Sequence, residues 1–296
     1  MSGGRAARVD VAPLQRPGSA GAWLTSRGSL DLGRPLVMGI LNVTPDSFSD
    51  GGRYLEADAA IRRAEEMLGD GADVLDIGGE STRPGATTVS EAEERARVLP
   101  VLEALARRLD VPISIDTTKA GVARAGLEAG ACIINDISGL RFDPSLADLA
   151  AERGAGLVLM HIRGEPRTMQ EEIHYDDLLG DVTAELRASV ETARSRGCRP
   201  EQLVVDPGIG FGKTAQHNLI LLNHLDRLST LGRPVMVGPS RKSFIGKVLG
   251  LGVDQRLEGT IAACVVALTR GARLFRVHDV GPVRRALDLA FAILST

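Results

Sequence analysis

Residues 113–138 read ISIDTTKAGVARAGLEAGACIINDIS. A short apolar run at each end of this stretch encloses a segment whose apolar residues recur with helical spacing. Both runs are rich in isoleucine, and short β-branched apolar runs are typical of strands covered on both faces of a parallel sheet. A strand, a helix and a second parallel strand form a βαβ unit. The stretch therefore predicts a parallel α/β fold.

The same alternation continues along the chain on both sides of this stretch. The apolar runs lie at 36–42, 73–79, 113–117, 133–138, 157–162, 203–208, 234–240 and 274–279. Helical segments separate them, for example 57–68, 91–109, 177–195 and 257–270, with a capping box at Ser90 and Glu93 and helix ends at Gly69, Gly154 and Gly197. Eight such units predict a single (β/α)8 TIM barrel of the α/β class, with a doubly wound open sheet as the alternative.

The two ends of the chain differ in character. Residues 1–30 are predicted to be a short, flexible N-terminal extension, because the first 27 residues contain Arg, Gly and Pro and no apolar signal segment. A regulatory tail is the alternative. No linker divides residues 31–296, which we assign to one catalytic barrel domain. The longest apolar run, 261–268, is too short to span a membrane, so no membrane partner is expected.

The composition of the chain excludes some classes of protein. Lys and Arg number 35 against 38 for Asp and Glu, and the net charge of −3 argues against a nucleic-acid binder, whose surface would be basic. Hydrophobic residues make up 44%, which excludes disorder over most of the chain. Cys132, Cys198 and Cys264 form no C-x-x-C pair and are expected to be buried small residues rather than nucleophiles or zinc ligands. We therefore expect a cytoplasmic enzyme.

Reactive side chains follow almost every apolar run. The runs end at Asn42, 80–83, Asp116, Asn135 with Asp136, His161, Asp206, 240–242, and Arg276 with His278. The amino ends of the runs carry fewer reactive side chains, as at 34–35, 111–112 and 233–234. One such residue could merely cap the next helix. Together they predict an active site at the carboxyl ends of the strands, where such barrels place their chemistry.

The residue types indicate the kind of ligand. Asp116, Asn135, Asp206 and Lys242 supply acceptors, donors and a cation that suit a flat, nitrogen-rich heterocycle, since a carboxylate can accept two parallel N–H bonds. Arg276 with His278, at the end of the last apolar run, suits a phosphate or diphosphate, which barrels commonly bind near strands seven and eight. The segments 43–56 and 80–90 are predicted to be loops that cover the site.

Two other patterns are weak. Residues 208–214, GIGFGKT, resemble a phosphate-binding loop, but Pro207 stands where the Walker pattern needs glycine. No H-E-x-x-H pattern is present, and His217 and His224 are expected at the surface rather than on zinc. A hard metal with few protein ligands stays possible, because Mg²⁺ often binds substrate phosphates and one or two side chains.

Eight motifs resemble those of the dihydropteroate synthase family. GILNVTPDSFSDG at 39–51 and DIGGESTRPGA at 76–86 resemble its two signatures. Further matches lie at 115–117, 135–137, 160–170, 206–213, 240–243 and 276–278. They follow the family's order and spacing, and the resemblance extends over about residues 36–290.

The resemblance implies a site that joins 6-hydroxymethyl-7,8-dihydropterin diphosphate to 4-aminobenzoate. The implied pterin residues are Asp116, Asn135, Met160, Asp206, Phe211 and Lys242. The implied diphosphate residues are Asn42, Thr82, Arg83, Arg276 and His278, with Asn42 also on Mg²⁺. Phe48, Pro84 and Ser240 are implied around the aminobenzoate, where sulfonamides compete. Asp116, Lys242, Arg276 and His278 are implied in catalysis.

The resemblance also implies a mechanism and an assembly. Diphosphate would leave first with the help of Mg²⁺, in an SN1-like substitution, and the family usually forms homodimers. Loop 80–90 has no insertion of the kind found in insensitive relatives, so we expect inhibition by sulfonamides. The rival hypotheses are a methyltransferase that binds a folate, a catalytically silent paralogue, and a nucleotide phosphotransferase. The intact diphosphate motifs argue against the methyltransferase. The complete loops argue against the silent paralogue, and the failed Walker pattern argues against the phosphotransferase.

Overall fold

The structure is a computed structural model that describes residues 21–43, 52–82 and 85–296, with residues 52–57 described as helical backbone only. A hairpin of β1 (Ala22–Thr25) and β2 (Gly28–Asp31) comes first. The parallel strands are β3 (Leu36–Asn42), β4 (Val74–Gly78), β5 (Ile113–Asp116), β6 (Ile133–Asp136), β7 (Gly156–Met160), β8 (Leu203–Asp206), β9 (Met236–Val237) and β10 (Leu274–Val277). The helices are α1 (Gly52–Gly69), α2 (Glu91–Arg108), α3 (Ala120–Glu128), α4 (Ser145–Arg153), α5 (Leu178–Ser195), α6 (Ala215–Asn223), α7 (Ser243–Leu249), α8 (Leu257–Thr269) and α9 (Val280–Leu294).

The parallel strands close into a barrel. Their order is β8-β7-β6-β5-β4-β3-β10-β9, with every neighbouring pair parallel. A parallel bridge between Val205 in β8 and Val235 just before β9 joins the two outer strands, and the Val205 amide donates to the Pro234 carbonyl at 3.0 Å. The predicted (β/α)8 barrel is therefore confirmed, and the open sheet is excluded.

Alternate residues of each strand belong to separate apolar clusters, as the two-residue period of a strand requires. One set packs under the helices and includes Val37, Leu75, Ile115, Leu157 and Phe275. The other set fills the barrel interior and consists of Leu36, Met38, Val74, Ile133, Val158, Val204, Met236 and Leu274, together with Trp23, Leu32 and Cys132. We call this inner set the lower layer, because it lies toward the amino ends of the strands.

The hairpin covers the amino end of the barrel. Trp23 is fully buried, and its Nε1 donates to the Gln202 carbonyl at 2.8 Å, directly before β8. A Cβ on Gly156, the first residue of β7, would stand 3.1 Å from the Trp23 ring. The predicted extension included residues 22–30, but the structure packs them against the barrel, because one indole supplies the burial that short strands otherwise lack. Residues 1–20 lie outside the described ranges.

The predicted helices agree with the observed ones apart from their ends. Helix α1 begins at Gly52, so the first predicted cover, 43–56, ends earlier than the sequence indicated. Ser90 accepts a hydrogen bond from the Glu93 amide at 3.2 Å, but the Glu93 carboxylate pairs with Arg97, so only half of the predicted capping box forms. Gly154 ends α4 with a left-handed φ of 63°, as predicted.

The remaining global predictions concern the cysteines and the membrane. All three cysteines are free and buried, and burial raises the pKa of Cys198 to about 11. They are therefore inert small core residues, as expected. No helix in the described ranges combines the length and the hydropathy needed to cross a membrane.

Candidate active site

A polar layer lies above the lower layer, at the carboxyl ends of the strands. Its members are Asp76, Asp116, Asn135, Met160, Asp206 and Arg276. Five of them follow a lower-layer residue by two positions in the same strand, and Asp116 follows the buried Ser114 in the same way. Because residues two apart in a strand share a face, these side chains point into the same barrel interior. Strand register sets Asp116 beside Asn135 and Met160 beside Asp206. The structure thus brings the predicted pterin residues together at one end of the barrel.

Arg276 joins two carboxylates at the centre of this layer. Its Nε donates to Asp76 Oδ2 at 2.6 Å and its Nη2 donates to Asp116 Oδ2 at 2.5 Å. Asn135 Nδ2 donates to the same Asp76 oxygen at 3.1 Å. Burial raises the pKa of Asp116 to about 7, although the nearby Arg276 opposes this shift. The centre of the layer is therefore a charged network in a poorly solvated position.

Two buried acceptors in this network lack a partner. Asp76 Oδ1 and Asn135 Oδ1 are inaccessible to solvent and accept no hydrogen bond from the described residues. An unpaired buried polar group costs about 1–3 kcal/mol. Such groups are rare in native proteins and are explained by strain, by a catalytic role or by a bound water or ion.

Asp206 and Lys242 are two further charged residues of the site, and each shifts the pKa of the other through its charge. Asp206 Oδ1 accepts from the Gly208 amide at 2.7 Å. The Lys242 ammonium donates to the Ile209 carbonyl and lies 4.5 Å from the centre of the Phe211 ring. Burial lowers the pKa of Lys242 to about 8, and Asp206 opposes this shift. Gly210 has a φ of 85°, which favours glycine, and a Cβ there would also come within 2.9 Å of the Lys242 side chain.

An apolar wall closes one side of the polar layer. Ile137, Met160, Ile162, Met169 and Phe211 form a small buried cluster that is separate from the main core. Its position above the lower layer gives the pocket a flat apolar surface beside its charged groups. This combination suits a planar heterocycle with several N–H groups.

Ser240 and His278 contact each other at the far side of the site. Ser240 Oγ lies 3.0 Å from His278 Nδ1 and accepts from the His278 amide at 3.1 Å. Arg241 between Ser240 and Lys242 adopts a left-handed φ of 54°, and two hydrogen bonds of 2.8 and 2.5 Å tie its guanidinium to Asp279. This strained turn places the residues on either side of it toward the site.

Asn42 and Thr82 stand at the mouth of the barrel. Asn42 is the half-buried last residue of β3, paired in register with Gly78. Thr82 lines a cavity of about 210 Å³ that also reaches Asp116 and Lys119. The other three predicted contacts, Phe48, Arg83 and Pro84, lie outside the described residues.

Asn42 is the described residue that the resemblance assigns to Mg²⁺. No cluster of three His, Cys, Asp or Glu residues that could hold a metal occurs in the described parts of the chain. Asn42 offers one neutral oxygen, and Mg²⁺ commonly takes one or two protein oxygens and completes its shell with water and phosphate. The residues present therefore fit an ion that binds mainly to a substrate.

Sequence reasoning missed Asp76 and Lys213. Asp76 lies inside an apolar run rather than at its end, and the signal that could have found it is its alternation with Val74. Lys213 is buried and hydrogen bonds His161 Nδ1 and the Phe211 carbonyl, both at 2.9 Å. Burial lowers the pKa of Lys213 to about 7 and that of His161 to about 4. Lys213 and His161 together hold the loop that contains Phe211.

The glycine-rich loop 208–214 is not a phosphate loop. Its amides at Gly208 and Gly210 already donate to Asp206 and to Asn218, the latter at 2.6 Å. A Cβ on Gly208 would overlap the His161 carbonyl at 1.8 Å. The glycines therefore allow the loop to pack closely against the end of β7.

The fold and this polar layer together define a barrel enzyme that binds a heterocycle at its carboxyl end. Residues 38–278 match the family of pterin binding enzymes. The dihydropteroate synthase of Synechocystis sp. is 51% identical over 261 residues, which cover 88% of this chain and 90% of that protein. The chain therefore belongs to the dihydropteroate synthase family, and it is a transferase.

Solved structures agree with this assignment. The dihydropteroate synthase of Yersinia pestis, crystallised with a sulfonamide drug, superposes with a TM-score of 0.87 at 46% identity and covers 93% of this chain and all of that one. The enzyme of Xanthomonas albilineans, crystallised with 4-aminobenzoic acid, gives a TM-score of 0.85 at 45% identity, with 90% of this chain and 96% of that chain covered.

Proposed function

We propose that this chain joins 6-hydroxymethyl-7,8-dihydropterin diphosphate to 4-aminobenzoate, forming 7,8-dihydropteroate and diphosphate in folate biosynthesis. The observation that carries the proposal is the polar layer, in which unpaired buried acceptors, two charged pairs and an apolar wall meet in one pocket. The 4-aminobenzoic acid bound by the enzyme of Xanthomonas albilineans supports the second substrate.

The pterin ring is proposed to bind against Met160 and Phe211. Its N–H groups would donate to Asp206 and to the free Asn135 oxygen, and Lys242 would donate to a ring acceptor. This arrangement orients the ring by hydrogen bonds at its edge and by apolar contact at its face. Asp116 then lies next to the ring through its register with Asn135.

The diphosphate is proposed to bind at Arg276, His278, Thr82 and Asn42. Arg276 uses only part of its N–H set on Asp76 and Asp116, and a guanidinium has five donors, so it can bind an anion at the same time. Asn42 would hold Mg²⁺ at this anion, and the ion would supply positive charge that stabilises the leaving group. Arg83 is proposed to act with Thr82 from the same loop.

The substitution is proposed to be dissociative. The bond between the pterin methylene carbon and the diphosphate oxygen breaks, and its electron pair leaves with diphosphate. The carboxylates of Asp116 and Asp76 would stabilise positive charge on the pterin, while Arg276 and His278 would favour the departing anion. The aniline nitrogen of aminobenzoate then forms the new C–N bond and releases its proton to solvent. Since this nitrogen is neutral at pH 7, the enzyme needs to position it rather than deprotonate it.

Ser240, Phe48 and Pro84 are proposed to surround the aminobenzoate. The sulfonamide bound to the enzyme of Yersinia pestis supports competition by such drugs at this position. We therefore propose that sulfonamides inhibit this chain.

We also propose an oligomeric state and a cellular compartment. A homodimer is supported by exposed apolar side chains on the last three helices, at Val248, Leu249, Val266, Leu289 and Ile293. A reducing compartment such as the cytoplasm is supported by the three unpaired cysteines. The molar mass from light scattering tests the dimer.

The direct test incubates the protein with the pterin diphosphate, Mg²⁺ and labelled 4-aminobenzoate and measures dihydropteroate. We expect product that a sulfonamide suppresses. Failure to form product while the pterin diphosphate still binds would indicate a silent paralogue, and failure to bind any pterin would contradict the whole site assignment. Diphosphate release without aminobenzoate would support the dissociative order, whereas its absence would favour a concerted displacement.

A further inference from the structure

The loop between β4 and α2 is closed at its base by one lysine. Glu80 begins this loop and Val89 ends it, and Glu80 Oε1 accepts from the Val89 amide at 3.1 Å. Lys119 Nζ donates to Glu80 Oε2 at 2.6 Å and to the Val89 carbonyl at 2.8 Å. One ammonium thus bonds both stems of the loop that contains Thr82.

The third partner of this ammonium is a buried carboxylate on the next helix. Glu94 Oε2 accepts from Lys119 Nζ at 2.5 Å, and the Glu94 side chain is only 1% exposed. An ion pair at such a position differs from the exposed pair of Glu91 and Arg95 on the same helix, which is 3.6 Å long and contributes little. Helix α2 therefore provides a rigid support for Lys119 and, through it, for both stems.

Lys119 is also tied to the pterin pocket. It lies three residues after Asp116, and its amide donates to Thr117 Oγ1 at 3.2 Å. The Thr117 amide donates in turn to the Asn135 carbonyl at 3.1 Å. The segment that holds the ammonium is thus bonded to the strand ends that supply Asp116 and Asn135.

We propose that Lys119 is a positioning residue, which fixes the base of loop 80–89 relative to Asp116 and so sets where the loop stands over the second substrate. This inference rests on the proposed function, because the loop is proposed to contact the diphosphate and the aminobenzoate. Lys119 itself touches neither the ring nor the reacting atoms. Its ammonium persists at neutral pH: burial lowers the pKa of Lys119, but hydrogen bonds to Glu80 and Glu94 outweigh burial and raise it.

Loss of Lys119 should weaken the binding of 4-aminobenzoate and sulfonamides but not the binding of the pterin ring. Without the ammonium, the stems of the loop lose their shared support, and the loop has to be ordered when the substrates bind. We expect KM for 4-aminobenzoate and the inhibition constant of a sulfonamide to rise by about tenfold or more. Binding of 6-hydroxymethylpterin without diphosphate should stay within about twofold, because the polar layer does not include Lys119.

The experiment compares Lys119→Met with Lys119→Arg and with Lys247→Met, which removes an exposed lysine of α7. Since Lys119→Met leaves Glu94 buried without its cation, the double variant Lys119→Met with Glu94→Gln removes both charges and protects the fold. Hydrogen exchange of residues 80–90 is measured without any ligand, beside kinetics and pterin binding. We expect faster exchange confined to this loop in both methionine variants, near wild-type behaviour in Lys119→Arg, and no change in Lys247→Met.

Several outcomes would overturn the inference. Wild-type exchange and wild-type KM in Lys119→Met would show that the lysine does not position the loop. Wild-type KM in the double variant would show that any defect of the single variant came from the unpaired Glu94. If the unmodified chain formed no dihydropteroate, the proposed function would fail, while the exchange measurement would still test the support of the loop.

Discussion

The amino and carboxyl ends of the barrel both contain buried polar side chains, but these side chains are bonded differently at the two ends. At the amino end, Trp23 fills the opening and Asp73 is fully used, since it accepts from Arg34, Arg284 and the Val37 amide. At the carboxyl end, Asp76 and Asn135 each keep a buried oxygen without a partner. At the amino end both oxygens of Asp73 are bonded, whereas the carboxyl end keeps two unpaired acceptors beside the proposed pterin pocket.

This difference separates stability from function along a single strand. In β4, Val74 belongs to the lower layer, and Asp76, two residues later, belongs to the polar layer. Substitutions at the amino end should therefore change the free energy of unfolding, and substitutions at the carboxyl end should change turnover.

The largest effect is expected for Trp23→Ala. Removing a fully buried indole leaves a cavity under the barrel and should cost about 3–5 kcal/mol of unfolding free energy. Urea denaturation measures this loss, and kcat at a temperature where the variant is folded should match the wild type. Trp23→Phe is the matched control and should lose less, because it keeps most of the ring. A fall in kcat without a fall in stability would break the comparison.

Asp116→Asn tests the opposite end. It keeps the shape of the side chain but removes a carboxylate that is proposed to stabilise charge on the pterin, so kcat/KM should fall by about 10²–10³-fold. The melting temperature should change by only a few degrees, because Arg276 keeps its bond to Asp76. Steady-state kinetics and thermal melting measure the two quantities. An active Asp116→Asn enzyme would remove this residue from the proposed mechanism.

The pH dependence of kcat/KM tests the proposed roles of Asp116 and Lys242. Burial raises the pKa of Asp116 to about 7 and lowers that of Lys242 to about 8. The carboxylate is then present above about pH 7 and the ammonium below about pH 8, so kcat/KM should rise through the first value and fall through the second. Each limb should change the rate by about tenfold per pH unit. Lys242→Arg should displace the falling limb upward and leave the rising limb in place, since arginine keeps its proton.

The smallest effect is expected for Asp110→Ala. Asp110 pairs with Arg27 of the hairpin at 2.7 Å, but its side chain is fully exposed. Solvent screens such pairs, so neither the melting temperature nor kcat should change measurably. A clear loss of stability would mean that the hairpin is held by charge as much as by Trp23.

Much of the barrel was predictable because parallel strands are apolar on both faces. The run at 36–42 has the bounds of β3, whereas the run at 234–240 contains only the two residues of β9. Pro234 lacks an amide donor, and residues 238–240 leave the ladder to bring Ser240 toward His278. Local sequence shows the apolar run but not where the chain turns away from its neighbour.

The site was predictable in its members and less so in its contacts. The residues assigned to the pterin do meet at one end of the barrel, because strand ends share an edge. Arg276 was expected at an anion, and its bonds to Asp76 and Asp116 span 200 and 160 residues of sequence. Such pairs depend on which strands face each other across the interior, which no local pattern contains.

The hairpin has a practical consequence for drug screening. Gly21 immediately precedes β1, at the end of the barrel opposite the proposed catalytic mouth. A tether attached ahead of Ala22 would therefore anchor the enzyme to a sensor chip by its sealed base. Every immobilised molecule would then present its pocket to the flowing compound, whereas coupling through the exposed Lys247 would attach the enzyme by helix α7.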